Sequence, residues 1–507
     1  MAKNKTTKNS SKSFEETLWD STNKLRGSVE PAEYKHVVLS LIFLKFSSDK
    51  FEEQRREIID DGKGNFVDMV DFYAMKNVFY LPEESRWSFI QANAKQDDLA
   101  LKIDTALHTI EKNNKSLAGA LPDKYFSRLG LDRSKLAALI DTISNINTLA
   151  DKSQDVVGRV YEYFLSKFAL AEGKGKGEFY TPKSIVNLIA ELIEPYKGKV
   201  YDPCCGSGGM FVQSVKFVES HRGNTKNVSI YGQEGTTTTL KLAKMNLAIR
   251  GISGNLGAKA DDTFASDQHP NLKADFIMAN PPFNLKDWRA SDELVDDPRW
   301  AGYEVPPAGN ANYAWILHMV SKLSVKGVAG FLLANGALTG TGAEYEIRKR
   351  LVEKGLVEAI FVLPMKTFYT TDISVSLWIL NNGRPVESNP ATLFVDLRNW
   401  GSEFEKKFVA LTPLDISEIA GLFHAWRNGL GYTDRPELCR SVSIAEIRAK
   451  NYALTPSSYV EFIGHDSDID FEFEKARCEE RLTELLDRER QANAELVSHF
   501  GDAKKCR

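Results

Sequence analysis

The segment Asn280-Pro281-Pro282-Phe283 combines groups that suit a flat, base-like substrate. Asparagine brings a side-chain amide with one acceptor oxygen and two donor hydrogens. The two prolines have no N–H and hold the backbone carbonyls in a restricted conformation. Phe283 adds an aromatic face on which a base can stack. The segment therefore predicts a site that accepts hydrogen bonds from an amino group and holds the attached ring.

A second segment, KVYDPCCGSGG from Lys199 to Gly209, has the composition of a ligand-binding turn. Asp202 follows a short apolar stretch, and Gly206, Gly208 and Gly209 come directly afterwards. Glycines permit a tight turn and let the backbone approach a ligand closely. This segment predicts a site for a nucleotide-like cofactor.

Buried strands must position both segments. Val200-Tyr201 precedes the first and Phe276–Ala279 precedes the second, and helices are expected between the strands, including Met210–His221. In open α/β sheets, ligands bind at the carboxyl ends of the strands. Another strand, Val228–Gly232, ends at Glu234, roughly 20 residues past the glycine loop, where an acidic residue can bind ribose hydroxyls. The alternation predicts an α/β fold with a Rossmann-like, doubly wound sheet.

DPCCGSGG and NPPF, in this order, resemble motifs I and IV of S-adenosylmethionine-dependent amino-methyltransferases. The upstream GEFYTP, Gly177 to Pro182, resembles motif X of the adenine-N6 branch in which that motif comes first. The arrangement is most similar to the modification (methyltransferase) subunit of type I restriction–modification systems. The similarity covers nearly the full length, including the segment NYALTPSSYV from Asn451 to Val460.

This resemblance implies one set of residues around the cofactor S-adenosylmethionine and a second set around the reacting base. The cofactor set is Glu178, Phe179, Tyr180, Thr181, Pro182, Asp202, Gly206, Ser207, Gly208, Gly209, Glu234 and Asp262. The catalytic set is Asn280, Pro281, Pro282 and Phe283. Asp262 is favoured for the cofactor adenine because Asp-Thr-Phe matches the family pattern, with Asp261 as the alternative. Phe264 could pack on that adenine or belong to the core.

The implied reaction methylates the N6 amino group of adenine. That amine is a poor nucleophile because its lone pair is delocalised into the ring. Asn280 Oδ1 and the Pro281 carbonyl can accept its two N–H groups and free the lone pair, without a strong base. Phe283 can stack on a base swung out of the duplex. The Asp202 carboxylate is expected near the methionine ammonium of the cofactor, in contact directly or through water. A cytosine-C5 mechanism would need a Pro-Cys pair in the base pocket, whereas Pro203-Cys204 lies in the cofactor loop.

Composition indicates a globular protein of two or three domains. The chain has 507 residues, 42% of them hydrophobic, and a net charge of −4, so affinity for DNA must come from a local basic patch or a partner. Five cysteines without CxxC pairs favour a reduced, cytoplasmic protein, and we expect no metal site. We see no signal peptide, and the apolar run Val37–Phe46 is too short to span a bilayer.

Four regions are expected along the chain. Residues 1–12 form a disordered basic tail, 13–160 an all-α domain, 161–465 the methyltransferase domain, and 466–507 a C-terminal helix that binds a partner. In the last region, apolar or small residues recur in steps of three, four or seven from Cys478 to Phe500, typical of a coiled-coil seam or an intramolecular helix face.

The resemblance implies double-stranded DNA, a specificity subunit that reads the target, and a restriction subunit as partners. Two copies of this chain are expected per specificity subunit. The chain lacks the GxxxxGK[ST] pattern of an ATP-driven motor. Methylation of N4-cytosine, RNA or a protein glutamine, and a non-catalytic scaffold, remain the alternatives. The Trp- and Arg-bearing loop Asn284–Asn312 is expected to close over DNA or the flipped base.

Overall fold

The computed structural model describes residues 16, 19, 31–145, 156–172, 181–368, 374–384, 390–404, 408–463 and 471–503. The described residues form two compact units. The first comprises the described chain up to Asp434 together with Leu438–Val460. The second comprises Arg435–Glu437 and the described residues from Glu461 onward.

A mixed sheet forms the centre of the first unit. Among the described residues it has nine strands, in the spatial order β11-β8-β6-β7-β5-β4-β1-β2-β3. Strands β7 and β11 run antiparallel to their neighbours, and the remaining pairings are parallel. A separate two-stranded sheet pairs β9 with β10. The strands are β1 Gly198–Asp202, β2 Val228–Gly232, β3 Gly254–Asn255, β4 Ala274–Ala279, β5 Leu323–Ala334, β6 Val357–Val362, β7 Val375–Asn381, β8 Thr392–Asp396, β9 Ser402–Phe404, β10 Phe408–Ala410 and β11 Cys439–Val442.

Helices alternate with these strands in the second half of the first unit and dominate its first half. The apolar periodicity that predicts a helix from Pro31 onward matches a helix that continues to Asp60. The α-helices are α1 Pro31–Asp60, α2 Val70–Ala74, α3 Trp87–Ala92, α4 Leu99–Asn113, α5 Tyr125–Arg128, α6 Arg133–Ser144, α7 Val156–Glu172, α8 Lys183–Ile193, α9 Gly209–Ser220, α10 Thr237–Ile249, α11 Asn312–Lys322, α12 Ala343–Glu353, α13 Pro413–Arg427, α14 Ile444–Ala449 and α15 Phe471–Ala503.

The sheet reverses its winding direction at β1. From β1 the chain proceeds to β2 and β3 on one side, then crosses to β4 and β5 on the other. The carboxyl ends of β1 and β4 therefore flank a topological switch point, where open α/β sheets bind their ligands. Asp202 ends β1, and Asn280 follows β4.

The N-terminal helices share their hydrophobic core with helix α10 of the sheet region. Leu242 and Met245 of α10 are buried in the same cluster as Leu39, Phe43 and Phe164. The Tyr161 hydroxyl donates a hydrogen bond to the Leu242 carbonyl at 3.2 Å. This shared core joins the helical region to the element that lies beside the cofactor loop.

Two C-terminal segments have different environments. In the first unit, the NYALTPSSYV segment packs as core: Tyr459 stacks on Phe394 with ring centroids 4.3 Å apart, and Leu454 N–H donates to the Leu338 carbonyl. In the second unit, helix α15 exposes every side chain whose burial is described, including Leu482 and Leu485. Among the described helices, none has the length and apolar character needed to cross a bilayer.

Candidate active site

The predicted catalytic and cofactor segments lie on neighbouring strands. Strand β1 pairs with β4 in parallel register, with Tyr201 opposite Ile277, so Asn280 lies two residues beyond the level of Asp202. A strand spacing near 4.8 Å and a rise near 3.3 Å per residue then separate the two Cα atoms by roughly 8 Å. The sheet thus brings together two groups that are 78 positions apart in the sequence.

Asp202 is a buried carboxylate, and no cationic side chain of the described residues pairs with it. Its side chain is 2% exposed, and its Oδ1 accepts the Cys204 N–H at 3.0 Å. Burial raises the pKa of Asp202 to about 7, with a smaller contribution from the negative charge of Glu234. A positively charged ligand group would offset this cost, which is the property required to bind an ammonium.

The loop after Asp202 exposes the amino end of helix α9. Gly206 and Gly208 have φ values of +53° and +78°, in the left-handed region that favours glycine. A Cβ added at Gly206 or Gly209 would meet no heavy atom within 4 Å, so the backbone here faces open space. The Asn246 side chain holds the loop by donating to the Ser207 carbonyl at 2.7 Å. This open, fixed backbone fits a nucleotide-like cofactor.

Glu234 closes the same loop from the end of β2. Its Oε2 accepts the Gly206 N–H at 3.0 Å, and its Oε1 accepts the Thr236 N–H at 2.9 Å. A carboxylate that accepts N–H groups in this way can also accept hydrogen bonds from ribose hydroxyls. Position and chemistry thus agree with the predicted role.

The two candidate aspartates for the cofactor adenine have different partners. Asp261 forms an ion pair with Lys259 at 2.8 Å, and the hydrogen bond from Lys259 is the main cause of its lowered pKa. Asp262 Oδ1 accepts the N–H groups of Phe264 and Ala265, each at 2.8 Å. Within the described chain, Asp262 Oδ2 has no hydrogen bond, so Asp262 retains the free acceptor.

Asn280 is held in one orientation by a residue from the predicted motif X. Its Nδ2 donates to Thr181 Oγ1 at 3.0 Å. Its Oδ1 is buried and has no hydrogen-bond partner among the described residues. A buried acceptor without a partner is costly in a folded protein and points to a ligand donor. Thr181 and Pro182 are the described part of GEFYTP, whereas Glu178, Phe179 and Tyr180 lie outside the described residues.

The remaining part of NPPF is also held in place. Pro281 is buried, while Pro282 and Phe283 are half-buried. The Phe283 ring meets Phe368 edge-on, with centroids 6.2 Å apart. A hydrogen bond links the two ends of the following loop, Asn284–Asn312: Asn312 Nδ2 donates to Asn284 Oδ1 at 2.8 Å. Phe368 was not identified from the sequence, because nothing local relates it to Phe283.

The loop Asn284–Asn312 uses its Arg and Trp side chains within the protein. Trp300 is 3% exposed, and Arg289 donates to the carbonyls of Ala290, Ser291, Glu293 and Pro306. Arg299 donates to the Thr263 carbonyl at 3.0 Å and the Phe264 carbonyl at 2.6 Å. These residues therefore fix the loop, and closure over DNA remains a prediction.

Sequence reasoning missed several residues that position the cofactor side. Gln233 is buried and donates from Nε2 to the Asp261 and Ser266 carbonyls, at 3.2 and 2.7 Å. The Thr263 hydroxyl donates to the Pro203 carbonyl at 2.6 Å. A glutamine directly after the apolar strand Val228–Gly232 was the sequence signal that could have revealed Gln233. Phe264 belongs to the core, packed between Trp288 and Trp315 at 4.6 and 4.4 Å.

The environment of the two cysteines in the loop disfavours their thiolate forms. Burial raises the pKa of Cys204 and of Cys205 well above the ordinary value, with the charges of Asp202 and Glu234 adding to the effect. Both thiols therefore remain protonated near neutral pH. They act as small packing groups, in agreement with the interpretation of the sequence.

Sequence comparison gives consistent matches over most of the chain. Residues 152–468 match the family model described as N-6 DNA Methylase, and residues 14–143 match the HsdM N-terminal domain. The methylase subunit of the type I restriction enzyme HindI from Haemophilus influenzae is 41% identical over 83% of this chain and 98% of its own length. The MjaIX methylase subunit of Methanocaldococcus jannaschii is 36% identical over 94% of this chain and 89% of its own.

A solved structure shows the same fold. The type I methyltransferase subunit from Streptococcus thermophilus superposes with a TM-score of 0.74 at 22% identity, covering 88% of this chain and 99% of that one. A chain from a structure of a type I R-M system superposes with a TM-score of 0.59 at 21% identity. The predicted fold class is confirmed: a mixed, largely parallel sheet with helices on the methyltransferase plan.

Proposed function

The chain belongs to the N-6 DNA methylase family, among the methylase subunits of type I restriction enzymes, and on this premise we propose that it methylates the N6 amino group of adenine in DNA. Membership makes it a DNA methyltransferase. S-adenosylmethionine, when bound, supplies an electrophilic methyl group. The proposal concerns the base that is modified, the residues that act, and the partners.

One observation carries the proposal: Asn280 Oδ1, directly before the Pro281 carbonyl, is buried and has no hydrogen-bond partner among the residues that the structure describes. Together these two oxygens can accept both hydrogens of an exocyclic amine. Accepting both draws the nitrogen toward tetrahedral geometry and frees its lone pair for attack. Since the acceptors are held by prolines and by Thr181, they need no reorganisation during the reaction. Phe283, half-buried, would stack on the extruded base.

The cofactor set is proposed to act through its charges and its backbone. Asp202 would bind the methionine ammonium, and Glu234 the ribose hydroxyls. Gly206, Ser207, Gly208 and Gly209 would surround the cofactor with backbone alone. Asp262, rather than Asp261, would hold the adenine, since Asp261 is paired with Lys259. Asp262→Ala should then weaken cofactor binding more than Asp261→Ala does.

Partners are proposed from the relatives and from helix α15. A specificity subunit would read the DNA target, a restriction subunit would join the full complex, and two copies of this chain would bind each specificity subunit. Leu482 and Leu485 of α15 are 57% and 49% exposed, which supports a partner helix on that face. Leu482→Glu with Leu485→Glu should abolish co-purification with the specificity subunit. Thr483→Glu, on another face of the helix, adds one negative charge instead of two and should leave co-purification intact.

Nucleoside mass spectrometry tests the reaction. Unmodified DNA is incubated with S-adenosylmethionine and this chain, alone and with the product of a neighbouring specificity gene. N6-methyladenine formed only with the partner is the expected result. N4-methylcytosine would show that the chain modifies cytosine instead of adenine. The absence of any methylated base, despite cofactor binding, would refute DNA methylation.

Asn280→Ala separates an enzyme from a scaffold. Losing one preorganised acceptor should reduce turnover by about 10²–10³-fold. Cofactor affinity should stay within about twofold of wild type, since Asn280 faces the base. A scaffold that only binds cofactor or DNA would keep all its functions in this variant.

A further inference from the structure

The Asn280 amide has two orientations of nearly equal shape but opposite chemistry. With Oδ1 toward the base, it accepts an amine hydrogen. With Nδ2 toward the base, it would place two donor hydrogens against the two hydrogens of the amine. The reaction therefore depends on which way the amide faces. In the structure Nδ2 donates to Thr181 Oγ1 at 3.0 Å, and the opposite oxygen is the one left buried and without a partner in the described chain.

Thr181 is held by the helix that follows it. Pro182, which is buried, immediately precedes that helix and caps it: its carbonyl accepts the N–H groups of Ile185 and Val186 at 3.0 and 3.1 Å. Helix α8 packs closely on the sheet: a Cβ atom added at Gly330 of β5 would lie only 2.8 Å from the Ile189 side chain. Ile189 shares a core with Met278, which lies two residues before Asn280. The hydroxyl and the amide are thus fixed to one packed layer.

We propose that Thr181 is a positioning residue: its hydroxyl accepts a hydrogen bond from Asn280 Nδ2 and so holds the amide with Oδ1 toward the reacting amino group. This role rests on the proposed function and adds to it. It differs from the cofactor contact that the motif resemblance implies for Thr181, because it acts on the methyl acceptor. The two roles predict different kinetic effects.

Thr181→Val removes the hydroxyl and keeps the branched shape. Without that acceptor the amide can turn, and kcat should fall roughly three- to tenfold, the effect of one net hydrogen bond. The KM for DNA and the Kd for S-adenosylmethionine should stay within about twofold of wild type. Thr181→Ser, which retains the hydroxyl, should recover most of the turnover. Single-turnover methylation of one synthetic duplex measures all variants, slow ones included.

Thr392→Val is the matched control. Thr392 is buried in the first unit, 2% exposed, whereas Thr181 is half-buried; the Thr392 hydroxyl donates to the Val357 carbonyl at 2.8 Å. It lies on β8, several strands away from β4. Its loss should reduce stability and leave kcat within about twofold of wild type. The comparison distinguishes positioning of the amide from the general loss of a buried hydrogen bond.

A double-mutant cycle isolates the orientation effect. Asn280→Asp replaces the amide by two equivalent oxygens, so either one can face the amine while the other accepts from the Thr181 hydroxyl. Thr181→Val should then have an effect at least threefold smaller in the Asn280→Asp background than in wild type. Equal effects in both backgrounds would overturn the proposal, since the two residues would act independently.

Three other results would also overturn it. Turnover of Thr181→Val equal to wild type would show that the hydroxyl is dispensable. Weakened cofactor binding with unchanged kcat at saturation would assign Thr181 to the cofactor alone. Equal losses in Thr181→Val and Thr181→Ser would indicate packing. These outcomes differ from failure of the proposed function, in which the wild-type complex itself forms no N6-methyladenine.

Discussion

Cofactor binding should depend on pH through Asp202. The carboxylate is 2% exposed, and burial raises its pKa to about 7 in the cofactor-free protein. An ammonium binds the ionised form, so affinity should fall as the pH drops through 7. The test therefore changes the pH and compares wild type with Asp202→Asn, which lacks the carboxylate that titrates.

The magnitude follows from the fraction of Asp202 that is ionised. With a pKa of about 7, roughly half is ionised at pH 7.0 and roughly 3% at pH 5.5. If only the ionised form binds, the Kd of S-adenosylmethionine should rise about 15-fold over this interval. The interval lies below the range in which an α-amino group loses its proton, about 7.7–8.0, so the ligand remains cationic.

Isothermal titration calorimetry at constant ionic strength can measure this change. Wild type and Asp202→Asn are titrated with S-adenosylmethionine at pH 5.5, 6.2 and 7.0. The variant should bind weakly at every pH and show little slope, and its residual slope accounts for all other titrating groups. If wild type and Asp202→Asn show the same pH dependence, Asp202 is not the group that meets the ammonium.

The same pKa has an opposite consequence for folding. Because the pKa of Asp202 is raised on folding, the unfolded chain releases its proton at lower pH than the folded one. The contribution of this group to stability is therefore present below about pH 4 and is lost as the pH rises through about 7. Saturating S-adenosylmethionine should reduce this loss, which denaturant titrations with and without cofactor can measure.

Three further substitutions test the support of the site. Arg299→Lys keeps the charge but loses the paired bonds to the Thr263 and Phe264 carbonyls. The Kd of S-adenosylmethionine, measured by calorimetry, should therefore rise about tenfold. An unchanged Kd would show that this loop does not support the cofactor site. Gly208→Ala places a side chain at φ +78° and should cost about 1–2 kcal/mol of unfolding free energy in urea, and no cost would contradict the strain argument. Leu380→Ala removes a fully buried side chain of β7 and should cost about 2–5 kcal/mol in the same assay, with a smaller loss meaning that the core refills the cavity.

Much of the site was predictable because its signals are local. Glycines after an Asp, and prolines after an Asn, report backbone conformations that neighbouring residues determine. Strand ends before both motifs follow from short apolar runs, and β1 and β4 match them. The position of Glu234 just after a strand was predictable from the apolar run before it, and its bond to Gly206 N–H places it at the glycine loop. The resemblance added roles that spacing alone does not assign.

Long-range contacts were not predictable in this way. Thr181 meets Asn280 across 99 positions, and Arg299 reaches the Thr263 carbonyl across 36. The rings of Phe368 and Phe283 lie in contact because β6 and β4 end on the same side of the sheet, at the carboxyl ends of the parallel strands. The expectation that the loop Asn284–Asn312 closes over DNA or the flipped base rests on its Trp and Arg content, and composition alone does not reveal that Trp300 is buried.

The sequence by itself determined which chemical groups are present and which strand ends carry them, because hydrophobic period and turn residues act over a few positions. Only the tertiary structure decided the orientation of those groups. The order of strands places Asp202 beside Asn280, and the packing of α8 brings Thr181 to the amide. Burial then sets the charge state of Asp202 and leaves one oxygen of Asn280 for a ligand. Such properties depend on residues distant in the chain, so no local pattern encodes them.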